Sequence, residues 1–523
     1  MNLLTDPWIP VRPQAKTSDQ KLTLRQLLCE DDKWELCLPR DDMEMAALQL
    51  LICLVQVFFL PENIRELKKR IQVPLEESDF EQGVKIFINW FSLDHPEYPF
   101  MQVRGVRADK ITPFTKLLTG LDSTTNCCFV NEPGLGNLLC GACAGITLFN
   151  QASCSPSFGG GFKSNLRDAR WPGKNEKGGL SGVPITTLLQ GDGLRQTIWM
   201  NVLNKEHLAQ LLPWHSNIQN DEPTWVRLIN EGEKIPVHQV GLIRGLFWQP
   251  TRVELVCSNE MQICSCCGEE VVRAYSGFKK EQLRYTMLGI WPHPHSPRII
   301  KITADGSEES FVSFNAITPS WTQLGRFVIQ RLADGNQGGQ EPAAVIRQAK
   351  SFLRGLRLNV GGYANQQAKI LKRRHEIISF PDGWSDKTDI LNSLVMMGLG
   401  HLEALEKSLR VFSRGIKETK SKSKIKGAGV PVYQTAKEQF YRRTEDSILD
   451  TLARLDFYNP SPALAALQNK LHQTVKQLFE ESVRPYLNDP NLIHTMAVSR
   501  RVLNKHLKAL KPQQEGGADG KRE

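Results

Sequence analysis

Two cysteine pairs have spacings that can do chemistry: Cys140-Gly-Ala-Cys143 and Cys264-Ser-Cys-Cys267. A Cys-x-x-Cys turn points two thiolates at one ion, and two such turns supply the four sulfurs that tetrahedral zinc prefers. Cys266 can stand in for Cys267 as the fourth ligand. The gap between the pairs is far longer than in a compact zinc ribbon, so only the fold can join them. The alternative is two unrelated pairs, one of them redox-active. Four sulfur ligands leave no open coordination position, so a zinc held this way is structural.

The first pair lies in a stretch rich in glycine and aromatic residues, Asn126 to Ser164. Within it, Ser157-Phe-Gly-Gly-Gly-Phe-Lys-Ser164 has the outline of a phosphate-binding loop, but that pattern requires glycine where this chain has Ser157 and Phe162. Gly159, Gly160 and Gly161 instead offer either a flexible surface turn or a backbone bare enough for something to approach closely. Further along, Gly361-Gly-Tyr-Ala-Asn-Gln-Gln-Ala368 reads as a tight glycine-initiated turn before a basic run, Lys372-Arg-Arg374. It is either a polar hairpin leading into a basic helix or a set of amides placed to read base edges beside phosphate-holding charges. His293-Pro-His295 has no third histidine or carboxylate nearby to complete a metal site. No Ser/His/Asp set, His-Glu-x-x-His motif or paired-carboxylate motif occurs at a recognisable spacing.

The elements that must position these residues fall into two regimes. Residues 1–383 mix short β-like runs, turns and helices without regular βαβ alternation, which predicts an α+β domain. Its most apolar segment, Met45 to Leu60, predicts a buried helix capped by Asp41 or Asp42 and ended by Pro61. It is too short and too interrupted, by Gln49 and Gln56, to span a bilayer. From 384 to 511 the pattern is long amphipathic helices: Leu391, Leu394, Val395, Gly398, Leu402, Leu405, Leu409 and Phe412 recur at spacings of three and four. Phe440, Ile448, Leu452 and Leu455 mark a second helix, a third and a fourth open at Ser461-Pro462 and Asp489-Pro490, and four helices with three connections predict a four-helix bundle. Residues 512–523 are polar and glycine-rich, which predicts a disordered tail.

Bulk properties narrow the function. The net charge is +9 and the pI about 8.9, which suits a polyanionic partner. Six basic residues between Arg414 and Lys426, against Glu418 alone, carry +5 of that charge. They form either a solvated loop or a phosphate contact. The chain opens without a secretory signal, so the cysteines are expected to be reduced thiols in a cytoplasmic protein.

Taken in order, the blocks MNLLTDPWIPVRP, LPRDDMEMAAL, NCCFVNEPG, LFNQ with SFGGGFKS, RGLFWQP, CSCCG, WPHPHSP, PSWTQ, GGYANQQA with KRRH, and KGAGV resemble the CasA family. Its members are large subunits of the type I-E CRISPR surveillance complex, Cascade. The resemblance spans nearly the whole chain. It implies a non-catalytic protein with an N-terminal α+β domain of unusual fold and a C-terminal four-helix bundle. Such a protein recognises the protospacer-adjacent motif (PAM) of double-stranded DNA from the minor groove, promotes strand opening and R-loop formation, and recruits a helicase-nuclease in antiviral defence.

Its implied partners are target DNA, the 5′ handle of the CRISPR RNA, and the backbone, handle-binding and small subunits of the complex. Residue by residue, the resemblance implies a glycine loop at Ser157, Gly159, Gly160 and Gly161, where relatives can carry glycine in place of Ser157. It implies a lysine finger at Lys280 or Lys279, and a glutamine wedge at Gln367 with Gln366 beside it. Phe129, Val130 and Asn131 begin a loop directed at the RNA handle and neighbouring subunits, and Cys140, Cys143, Cys264 and Cys267 match the family's zinc positions. The competing reading from another class is a zinc-dependent nucleic-acid-processing enzyme with His293 and His295 near the metal.

Overall fold

The apolar run after Arg40 forms the helix Asp41–Phe58, buried on nearly every side. It lies at the centre of the N-terminal unit because its two interrupting amides find partners there. Gln56 donates to the Leu203 carbonyl (3.0 Å) and accepts from the Leu203 amide (2.6 Å). Gln49 meets His295 Nδ1 at 3.4 Å and accepts from the Cys154 thiol at 3.1 Å. Neither aspartate caps the helix. Arg40 is the N-cap residue, without a side-chain cap bond, and the helix stops at Phe58. The Asp42 carboxylate is instead taken by Arg40, whose Nε and Nη2 donate to it at 2.9 and 2.7 Å.

The computed structural model describes residues 1–14, 19–121, 134–163, 165–166, 183–258, 260–304, 306–335, 337–366, 369–422 and 432–510. The chain divides into two compact units. One comprises Met1–Ala316 and Arg326–Ile378, the other Ile317–Gly325 and the chain from Ser379 onward. The short strap around Pro319-Ser-Trp-Thr-Gln323, which the sequence pattern places with the N-terminal part, thus groups with the helical unit.

In the first unit the described strands form small sheets of two or three strands, and the overall class is the expected mixture of helix and sheet. The helix Gly141–Ser153 packs against Asp41–Phe58. Its Phe149 joins Phe91, Phe100, Trp225 and Phe247 in a cluster of rings with centroids 5.1–6.4 Å apart. These mostly edge-on contacts make a dense core behind that helix.

The glycine-initiated segment departs from the sequence expectation. Gly361 and Gly362 lie inside a strand, Leu356–Gln366, and the basic run is the strand Lys369–Phe380, not a helix. Ile370, Arg374, Ile378 and Phe380 are buried at even spacing, the period of a strand with one covered face. Gly362 has φ +148°, and a Cβ there would approach the Pro184 carbonyl oxygen to 3.3 Å. The pair therefore serves close packing, and the strand runs on to Gln366.

The second unit contains helices Thr388–Lys422, Val432–Ala453, Ser461–Val483 and Ile493–Ala509. The first contacts the other three, and the second packs on the third. Leu391, Leu394, Leu405, Leu409 and Phe412 are fully buried along one stripe of the first. A Cβ at Gly398 would sit 2.7 Å from Trp321, so a glycine is needed where the strap's indole crosses the helix. Ser461 is the first helical residue and Pro460 the N-cap, so no hydroxyl cap forms there. Asp489 does cap, accepting from the Asn491 amide at 3.0 Å ahead of the short turn Pro490–Leu492. Among the described residues no helix is long and apolar enough to cross a membrane.

Candidate nucleic-acid interface anchored by a cysteine cluster

The two distant Cys-x-x-Cys pairs meet. The Sγ atoms of Cys140, Cys143, Cys264 and Cys267 all lie within 4.8 Å of one another. Local geometry arranges them. Cys140 is the N-cap of the helix Gly141–Ser153, with its sulfur 3.5 Å from the Cys143 amide. The Cys140 amide points at Cys264 Sγ, 3.2 Å away. In the second pair the chain turns back on itself, Gly268 N donating to Cys264 O (2.9 Å) and Cys264 N to Glu269 O (2.8 Å). Ser265 ties the two pairs together: its hydroxyl donates to the Leu138 carbonyl (2.7 Å) and accepts from the Gly136 and Leu138 amides (3.1 Å each).

An all-sulfur donor set at this spacing fits a tetrahedral metal ion and leaves no protein ligand to spare. Of the two alternatives for the fourth ligand, the geometry takes Cys267. Cys266 lies outside that group of four, its thiol 3.4 Å from Met43 Sδ. Cys264 is held far below the usual thiol range by hydrogen bonds from Cys140 and then Cys143, while Cys143 is pushed well up by its bonds to Cys140 and the other sulfurs. Lys21, which carried no sequence signal, places Nζ 3.6 Å from Cys140 Sγ and also pairs with Glu269. A cation beside clustered thiolates offsets their charge.

Two arms leave this cluster. One is the helix Gly141–Ser153, about 20 Å long at 1.5 Å per residue, which delivers the chain to the glycine loop. The other is the strand Ala274–Glu281, whose Ala274 pairs with Cys140 and Tyr275 with Leu139. Lys280 lies six residues beyond Ala274, again about 20 Å away at 3.3 Å per residue. The arms meet at their far ends. Lys280 Nζ sits 4.5 Å from the ring centre of Phe158 and 4.7 Å from that of Phe162, and Phe158 also packs on Phe278, two residues before the lysine.

Burial, and then the neighbouring charge of Lys116, hold the Lys280 ammonium below its ordinary pKa. The two rings face a cation with their negative faces, which fixes the ammonium in place. Lys279 projects from the opposite face of the strand, as alternation requires.

The loop itself is built for exposure of its backbone. Gly159, Gly160 and Gly161 all have left-handed φ, +76°, +58° and +86°, where a side chain is disfavoured. A Cβ at Gly160 would meet nothing within 4 Å, so its backbone faces open space. Ser157 is buried and turned inward, its hydroxyl accepting from the Gly159 amide at 3.2 Å. Gln282 holds the other side, Nε2 donating to the Gly160 carbonyl.

The strand pair Leu356–Gln366/Lys369–Phe380 is tied to the same helix. The Tyr363 hydroxyl donates to Asp42 Oδ2 (2.9 Å) and accepts from Asn150 Nδ2 (2.9 Å), and Asn150 belongs to Gly141–Ser153. Arg373 on the second strand reaches Asp42 at 3.3 Å and Asp41 at 3.4 Å. Burial opposes the charge on Asp42, but Arg40, then Arg373 and Tyr363, outweigh it and keep the carboxyl below its usual range. Gln366 ends the first strand. Gln367, next in the chain, and Phe129, Val130 and Asn131 lie outside the described residues.

His293 and His295 are core residues. His295 Nε2 is 3.1 Å from the Asn201 carbonyl, and its amide donates to His293 Nδ1 at 3.1 Å. Among the described residues the four cysteines are the one metal-binding grouping, and neither histidine belongs to it.

Fold and site together define a two-unit protein of mixed helix and sheet in which a cysteine cluster carries a glycine loop and a caged lysine. Residues 2–478 match the family model of CRISPR-associated protein Cse1, and the chain belongs to that family. Solved structures of similar fold include Cse1 from Thermobifida fusca, at 17% identity and TM-score 0.69, covering 98% of this chain and 99% of that one. A CRISPR-associated protein from Thermus thermophilus matches at 16% identity and TM-score 0.68, covering 98% of this chain and all of that one. A chain of a CRISPR RNA-guided surveillance complex matches at 16% identity and TM-score 0.63, covering 98% and 99%. At these identities the likeness is one of fold.

Proposed function

We propose that this chain is the DNA-reading large subunit of a CRISPR RNA-guided surveillance complex. It recognises the protospacer-adjacent motif of duplex DNA from the minor groove and promotes strand opening. One observation carries the reading: Lys280, from a strand more than a hundred residues downstream, is caged by the two phenylalanines of the glycine loop. Family membership and a fold shared with a chain of such a complex support it.

A narrow minor groove presents a degenerate row of acceptors. A bare glycine backbone and one pre-positioned ammonium suit a relaxed reading of that row. The wedge is Gln367, beside Gln366 at the end of the strand held by Asp42 and Asn150. Unstacking the first base pairs costs a few kcal/mol, offset by phosphate contacts and guide pairing. Zinc on the four cysteines supplies no chemistry to the DNA and fixes the root of both reading arms. The segment at Phe129, Val130 and Asn131 serves the RNA handle and neighbouring subunits. DNA cleavage belongs to a recruited helicase-nuclease.

Lys280→Ala is expected to weaken binding of motif-bearing duplex by roughly tenfold or more, within the 1–3 kcal/mol of one groove contact. Lys279→Ala, on the other face of the strand, should cost less than about threefold. Duplex titrations on the assembled complex measure both, and equal effects would remove the caged lysine from the reading head. Gln367→Ala should slow R-loop formation, followed by a base-analogue fluorophore beside the motif, far more than it weakens initial duplex binding. Parallel loss of both would place the wedge elsewhere.

A further inference from the structure

A second cationic site lies apart from the reading head, and its key residue is Arg244 of the RGLFWQP block. Arg244 is 4% exposed, yet among the described residues it forms no ion pair. Its Nη1 donates to the carbonyls of Glu222 (3.2 Å) and Arg227 (2.8 Å), and its guanidinium stacks 5.5 Å from the ring centre of Trp248. Those carbonyls occupy one of three nitrogens and neutralise none of the charge. A buried guanidinium without a carboxylate is costly, so backbone stapling alone accounts poorly for it. Asp221, a carboxylate close by, is already committed to the Ile243 and Arg244 amides at 2.7 and 3.1 Å.

Arg244 lines a cavity of about 530 Å³, within the ~300–1,000 Å³ range typical of small-molecule sites. Arg227 and His238 share the lining, as do the indole of Trp214 and the amides of Asn217 and Gln239. Glu233, a carboxylate in the same wall, is held by the Asn230 amide at 2.8 Å. Burial, and next the proximity of Arg227, hold Arg244 below its ordinary pKa despite Glu233, Asp221 and Glu222 nearby. The lining sets two guanidiniums, Arg227 and Arg244, against the one carboxylate of Glu233. Two guanidiniums form a planar, multidentate match to phosphate oxygens. The indole and side-chain amides around them suit a base and its edge.

We propose that this cavity binds a nucleotide phosphate, with Arg244 and Arg227 on the phosphate and Trp214 and the amides beside the base. The inference stands independently of the minor-groove reading, because it uses none of the residues of the glycine loop or the lysine strand. The phosphate can come from a free mononucleotide or from a single-stranded nucleic acid, and the test separates them.

Calorimetric titration of the full chain with AMP, inorganic phosphate and a ten-nucleotide single strand should show binding. Arg227→Ala, at an exposed position that leaves the core intact, should weaken it by about tenfold. Arg244→Gln should abolish it, and circular dichroism checks that this variant folds. AMP binding as tightly as the strand identifies a free nucleotide, whereas a strand preferred by more than about tenfold, with a steeper salt dependence, identifies a nucleic-acid chain. No binding of any phosphate probe at millimolar concentration overturns the proposal. So does binding unaffected by Arg227→Ala, or preferential binding of an oligo-aspartate peptide, which would make the cavity a socket for an acidic protein segment.

Discussion

Replacing Cys143 with serine is expected to lower the zinc content of the purified chain from about one ion to near zero and to destabilise the N-terminal unit by about 5 kcal/mol or more. The size follows from what the cluster holds. Its sulfurs come from the start of the helix Gly141–Ser153 and from a turn more than a hundred residues later, and the two are otherwise joined by the Ser265 hydroxyl bonds and the short pairing of Leu139 and Cys140 with the lysine strand. Without a metal, four clustered thiols must share protons among themselves, and Cys140, Cys143 and Cys264 are buried too deeply for water to help. Chelation of the native protein should reproduce the loss. Because both arms start at the cluster, motif-bearing DNA should bind weakly to the metal-depleted protein even where it remains folded. Elemental analysis with thermal unfolding measures the first effect and duplex titration the second. A zinc-free native chain of unchanged stability would sink the proposal.

Asp42→Ala should cost about 3–5 kcal/mol, the usual penalty for leaving a buried charge unpaired. Arg40, only 5% exposed, would keep the Thr119 carbonyl at 2.6 Å but lose both bonds to its carboxylate. Tyr363 and Arg373 would lose their shared acceptor as well, releasing the strand that ends in Gln366. Asp41→Ala is the control: its contact with Arg373 is at the surface and should be worth less than about 1 kcal/mol.

The pH dependence has a definite sign. The folded pKa of Asp42 lies below its unfolded value near 4, so its stabilising contribution is complete above that value. It is lost as pH falls through the folded pKa. The stability gap between native protein and Asp42→Ala, measured by denaturant titration, should therefore be constant at neutral pH and close on the acid side. A gap that instead closed toward alkaline pH would contradict the carboxylate assignment.

The bundle was legible in the sequence because its signal is local. Leu391 through Phe412 repeat at three and four, and a stripe at that period can be buried in essentially one way. The buried helix after Arg40 was legible for the same reason, since a segment apolar on all sides belongs inside. Its start was misread because Asp41 and Asp42 are good caps in isolation, and nothing local reveals that Asp42 will be claimed by Arg40, Tyr363 and Arg373. The basic run within Lys369–Phe380 was read as leading into a helix and is a strand, because its pairing with Leu356–Gln366 is a tertiary fact that no local pattern reveals. Arg244 and Lys21 gave no signal, because a lone cation acquires meaning only from what surrounds it.

For the site, the residue types carried half of the information. Four cysteines in two close pairs and three consecutive glycines between aromatics were legible in the sequence, as was the kinship with a known family that singled out Lys279 and Lys280. What only the tertiary structure decided is how they are joined. It chose Cys267 over Cys266, turned Ser157 inward as a brace for the glycine loop, and set Lys280 between Phe158 and Phe162. Each of these depends on direction and distance between segments far apart in the chain. Two arms of nearly equal length, a helix and a strand rooted in one cluster of sulfurs, bring those segments to the same place.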